Sequence, residues 1–263
     1  MSTHASAPHE HGHSPGQGHN PYLAHHFEDF EQQEEAHALG LWIFLATEIM
    51  FFGGLFLAFT AYHIMFPDAF AQASLKLDER WGIINTVVLL FSSFTMAMGV
   101  WSAQTNRRSL LIGFLSVTLL CGFAFMGIKT IEYKDKYTHH LVPGPNFNFT
   151  LKDPHHTGPA LTAEQHAKQE AYIAEILKRD PFVERHAQMY FVMYFCLTGL
   201  HGFHVLCGIG VISWMLLRSI RGEFNSVWNT PVHLTGLYWH LVDLVWIYLF
   251  PLIYLVAKHH LIH

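Results

Sequence analysis

Glu48 is the only charged residue of the apolar run 38–66, which includes LWIFLATEIMFFGGLFLAF. A carboxyl group near the centre of a bilayer costs about 2.5–3.5 kcal/mol on insertion scales. The folded protein must therefore bury Glu48 against protein, protonate it or give it a hydrogen-bonding partner. A polar clamp between helices and a proton or conformational role are both open readings. In LTGLHGFHVLCGIGVI, His201 and His204 fall one helical turn apart, with Gly199, Gly202, Gly208 and Gly210 thinning the segment so that helices can approach. In LYWHLVDLVWIY, His240 and Asp243 have i,i+3 spacing, at which a carboxylate can fix an imidazole tautomer or share its proton. Lys129 and Glu132 repeat that spacing near the end of another apolar run, where both are expected to reach water.

These histidines do not make a metal or haem site by spacing. A di-haem bundle needs two histidines about four turns apart on each of two facing helices. Here one segment has a pair one turn apart, and the other has His233 and His240 two turns apart. The chain carries no phosphate-binding glycine loop, and its one Gly-x-Ser-x-Gly string (Gly12 to Gly16) and one His-Glu-x-x-His string (His9 to His13) overlap in the Gly- and Pro-bearing tail, outside every apolar span. Cys121, Cys196 and Cys207 all lie inside apolar segments and are expected to be small core residues, not a disulfide or redox pair.

The elements that must position these groups are five apolar spans, at 38–66, 81–103, 110–133, 186–217 and 231–257. Of the 263 residues, 51% are hydrophobic and 13% charged. A helix rises 1.5 Å per residue, so each span is long enough for a bilayer core of about 30 Å. The expected fold is all-α, a bundle of five transmembrane helices. Residues 1–37 hold eight histidines, six acids and no Lys or Arg, and are expected to be a disordered tail without a specific metal site. No cationic stretch leading into a short apolar segment opens the chain, so no cleaved leader is expected.

Between the third and fourth spans, residues 134–185 form an extramembrane insert whose seven bases balance seven acids. Within it, TAEQHAKQEAYIAEILKRD predicts a surface helix with Thr162 and Gln165 at capping-box spacing and Asp180-Pro181 as its stop. The two short links carry Arg107, Arg108, Arg218 and Arg221 against Glu223 alone. By the positive-inside rule they are cytoplasmic, which puts the N-terminus inside and the C-terminus outside. The domain reading is thus a tail to residue 37, helices over 38–133, the insert, and helices over 186–263. A proton-linked transporter is the competing function from the residues alone. Such a protein more often shows matched repeats, which five spans cannot supply in equal halves.

LWIFLATEIMFFGGLFLAFTAYH from Leu41, INTVVLL from Ile84, IEY from Ile131, TGLHGFHV from Thr198 and YWHLVDLVWIYLF from Tyr238 resemble subunit III of the haem–copper respiratory oxidases, specifically cytochrome c oxidase. The resemblance covers all five spans in order, and neither the tail nor the insert. It implies a non-catalytic, multi-pass subunit of a bacterial cytoplasmic membrane that packs on catalytic subunit I and other oxidase subunits. It also implies lipid binding, support of proton entry and protection of the catalytic centre during turnover. Haem and copper are then expected in partner subunits, with none on this chain, and phospholipid is an expected ligand. No nucleic-acid partner is expected. The family's intramembrane glutamate maps onto Glu48, its paired histidines onto His201 and His204, and its His–Asp pair onto His240 and Asp243. Trp42, His63, Glu132, Arg221, Trp239 and Trp246 are the candidates for contact with lipid or a neighbouring subunit. A quinol oxidase subunit III, or the relative that accompanies nitric oxide reductase, is the nearest alternative. Longer members have two further helices at the start. His233 stands where many have a glutamate, so that carboxylate's role does not carry over.

Overall fold

The structure is a computed structural model that describes residues 27, 29–144, 147–149, 151, 163–224 and 228–255. The described residues form seven α-helices and no strand: α1 Phe30–Met65, α2 Pro67–Ser74, α3 Glu79–Gln104, α4 Arg108–Thr138, α5 Ala163–Arg179, α6 Val183–Arg221 and α7 Thr230–Phe250. A π-helical turn, Pro251–Leu255, closes them. Five of the helices are long and apolar enough to cross a membrane, as the five spans predict. Most of the His-rich tail and the Thr162–Gln165 capping box lie outside the described residues.

The chain divides into two compact units, residues 1–42 and 43–263. In the first, α1 starts eight residues before the apolar run, because Asp29 accepts a hydrogen bond from the Gln32 N–H at 2.8 Å and caps it. In the second, α3, α4, α6 and α7 pack on one another. The segment of α1 in this unit buries a narrow stripe at Leu45, Phe52, Phe59 and His63, while Ile49, Met50, Leu57 and Ile64 point outward. Spacings of seven and four residues place the stripe on one face.

Helix ends follow local chemistry. Asp78 caps α3 by accepting from the Arg80 N–H at 3.0 Å. Gly222 ends α6 at φ +81, a left-handed cap that L side chains rarely adopt. The short α2 is absent from the sequence reading, although Pro67 followed by Asp68 is a helix-start signal.

Two sequence expectations change. Of the four glycines proposed to thin α6, close approach is made at Gly208, where a Cβ would stand 2.7 Å from the Trp239 ring. Gly202 and Gly210 have nothing within 4 Å. Cys196 and Cys207 are not core residues but free thiols on the outward face, and Cys121 is half-buried.

Candidate functional site

Glu48 on α1, His201 and His204 on α6, and Leu241, Val242 and Val245 on α7 line one small cavity together with Phe52. Its volume is ≈ 10 Å³, about the space one water needs. The wall is built by helical spacing. Residues 201 and 204 share a face of α6, and 241, 242 and 245 share a face of α7. Phe52, one turn beyond Glu48, sets its ring edge-on to His204 with centroids 5.3 Å apart.

The protons of the pair follow from donor geometry. His204 Nδ1 lies 2.9 Å from the Leu200 carbonyl oxygen. A carbonyl can only accept, so Nδ1 carries the proton. In a neutral imidazole Nε2 is then bare, and it lies 3.1 Å from Glu48 Oε2. A bare nitrogen and a carboxylate repel. The contact is attractive when one further proton resides on the pair, as imidazolium with carboxylate or as imidazole with carboxylic acid. The two side chains keep 14% and 18% of their surface exposed, and Oε2 makes no aligned hydrogen bond. The Tyr238 hydroxyl donates to the His204 carbonyl at 2.9 Å, tying α7 to this turn of α6.

His201 is 1% exposed, and neither ring nitrogen has a hydrogen-bond partner. Its ring lies 5.2 Å from Trp246 and 5.5 Å from Phe125. An unpaired buried polar group costs about 1–3 kcal/mol.

The His240–Asp243 pair does not form as the spacing suggests. His240 Nδ1 bonds across the interface to Ser93 Oγ at 2.7 Å, so α3 and not Asp243 holds the imidazole. Asp243 is buried with neither oxygen hydrogen-bonded, and Asn85 on α3 is in the same condition. Two further side-chain bonds join α3 and α7. Trp239 Nε1–H donates to Ser92 Oγ at 3.0 Å and Trp246 Nε1–H to Thr86 Oγ1 at 3.1 Å.

Trp239, Trp246 and Glu132 are enclosed by the chain itself, so they are not lipid- or partner-facing as expected from sequence. The Trp239 indole lies against Gly208, and the Trp246 indole meets Phe125 edge-on with centroids 4.9 Å apart. Glu132 and Lys129 do not reach water. They are 4% and 5% exposed, because α4 continues five residues past the apolar run and the end of α7 folds over them. Sequence reading missed their partners Tyr194 and Tyr254. Of the other candidates, Trp42 is 61% exposed, Arg221 is exposed, and His63 is buried beside Phe70.

The two arginine-bearing links meet at one end, where Arg108 Nε donates to the Ser219 carbonyl at 3.0 Å and its Nη2 to that of Ile220. Among the described residues no group of three or more His, Cys, Asp or Glu side chains is placed to hold a metal ion.

Residues 181–258 match the family model described as cytochrome c oxidase subunit III. A probable cytochrome c oxidase subunit 3 of Nocardia farcinica is 27% identical over 219 residues, 83% of this chain and 87% of that protein. The cytochrome c oxidase subunit 3 of Bacillus subtilis is 26% identical over 220 residues, 83% and 86% of the two chains. A probable quinol oxidase subunit 3 of Staphylococcus aureus is 26% identical over 224 residues, 85% and 90%.

Proposed function

From the chain's membership of the cytochrome c oxidase subunit III family, we propose that it is the non-catalytic third subunit of a proton-pumping cytochrome c oxidase in a bacterial cytoplasmic membrane. Haem and copper then belong to the partner subunits. The chain acts through packing on subunit I, bound phospholipid and proton supply. One observation carries the proton role: Glu48 and His204 meet at 3.1 Å in a geometry that accommodates one exchangeable proton, beside an unpaired His201. Buried ionisable groups are costly in a membrane, and apolar residues would pack the same space more cheaply.

The test begins with the native complex. Tagged chain drawn from membranes in mild detergent should bring haem proteins with it and show a reduced-minus-oxidised oxidase spectrum. A chain that purifies and functions without haem proteins is the result expected of a proton-linked transporter, and it rejects this reading. The pairing with a cytochrome c oxidase is tested in the same preparation by donor preference, since relatives of both oxidase types match this chain.

The topology that goes with this role puts the N-terminus in the cytoplasm and residue 148 outside. The shared end of the arginine links supports it, because four arginines then lie on one side. Cysteines placed at Ser14 and Asn148 should react with an impermeant thiol reagent from opposite faces of the membrane. Equal labelling of both in intact cells rejects the orientation.

A further inference from the structure

At the opposite end of α4 from the arginine links, four side chains close a ring. Lys129 Nζ donates to Glu132 Oε2 at 2.8 Å and to the Tyr254 hydroxyl oxygen at 3.0 Å. The Tyr194 hydroxyl donates to Glu132 Oε1 at 2.8 Å, and the Tyr254 hydroxyl donates to the same oxygen. The ammonium also sits 4.7 Å from the centroid of the Trp246 ring. Both Glu132 oxygens are thus occupied, and each tyrosine proton is committed. One cation faces one anion in a closed site.

The ring joins three parts of the chain: α4 through Lys129 and Glu132, α6 through Tyr194, and the turn after α7 through Tyr254. Pro251 opens that turn and has no N–H to continue the α-helical ladder. The wider π turn carries Tyr254 to the ring, and the Tyr190 hydroxyl adds a bond to the Ile253 carbonyl at 2.9 Å.

We propose that Lys129, Glu132, Tyr194 and Tyr254 form a charge-neutral clasp that holds the Pro251–Leu255 turn onto the ends of α4 and α6, with the two charges interdependent. Removing one charge strands the other in a buried site, where the two side chains are 6% and 3% exposed. Removing both leaves a neutral site that the tyrosines still bridge, since a glutamine at 132 keeps an acceptor for their hydroxyls. This goes beyond the proposed oxidase role and does not require it.

Amide hydrogen exchange on the full chain in mild detergent tests the clasp, with K129M, E132Q, the double variant and Y254F. The reporter is the peptide covering 252–255, and a peptide from the middle of α3 serves as control. Each single-charge variant should speed opening of the turn by about tenfold or more, and the double variant should return it to within about threefold of the parent. Y254F should fall between, by about threefold to tenfold, since one hydroxyl is lost and both charges remain. Should a single-charge variant also open the α3 control, a double variant that protects both peptides still supports interdependence. A double variant at least as open as the worse single one overturns the proposal, as do single variants that leave the turn unchanged.

Discussion

Two sets of buried ionisable groups occupy this chain, and they are built in opposite ways. Around Lys129 and Glu132 every charge has a counter-charge and every tyrosine proton an acceptor. Around Glu48 and His201 the accounts stay open: one carboxylate oxygen has only an off-line imidazole, and one imidazole has nothing. A saturated site has no vacancy into which a proton can move, so its natural role is to fix geometry. An open site lowers stability and keeps the capacity to gain or lose a proton, a water or a partner. Burial alone therefore does not mark function. The state of the hydrogen bonds does.

The largest expected effect comes from making one substitution in both places. E132Q leaves Lys129 charged and unpaired inside the bundle, and should cost about 3–5 kcal/mol of stability. E48Q should cost less than about 1 kcal/mol, because Glu48 is partly exposed and makes no aligned bond at Oε2. Melting of the purified protein followed by tryptophan fluorescence compares them. Equal losses at the two sites would erase the distinction.

A second effect concerns Gly208, which seats the Trp239 ring. A valine there must displace the indole, since its Cβ would stand 2.7 Å from the ring, and should cost about 1–3 kcal/mol. The same change at Gly210, where nothing lies within 4 Å, should alter stability by less than about 0.5 kcal/mol.

The third effect is smaller in stability and larger in function. E48A should leave the complex assembled and its initial oxygen reduction partly intact. Activity should then decline faster during sustained turnover, with E48Q milder if a hydrogen bond is enough. Oxygen-electrode traces over many turnovers decide this, and an E48A oxidase with parental lifetime removes the functional half of the contrast. Smallest of all, S93A should cost about 1 kcal/mol by releasing His240 Nδ1, read from the same melting curves.

Much of this was legible in the sequence where insertion cost isolates a residue. Glu48, His201 and His204 stand out because apolar neighbours give them no local partner, and the fold brings all three to one cavity. Which histidine meets Glu48 was not legible, since it depends on the rotation of α6 against α1 by a fraction of a turn. The i,i+3 spacing of His240 and Asp243 suggested a pair, but spacing along one helix does not exclude a better partner on the facing helix, and Ser93 is that partner. For Lys129 and Glu132 the spacing was right and the setting was not. Hydropathy ended the third span at residue 133, whereas the helix runs to Thr138 and the turn carrying Tyr254 closes over the pair. The first span shows the same limit from the other side, because Asp29 starts α1 before the apolar residues begin.

Arg108 closes the last turn of α6 by donating to carbonyls more than a hundred residues further along the chain. While the protein is being synthesised, those carbonyls do not yet exist when α3 and α4 enter the membrane. During that interval Arg108 cannot make those two bonds. Once α6 arrives, the same guanidinium becomes its cap, so the end of α6 is closed by a residue made with α4.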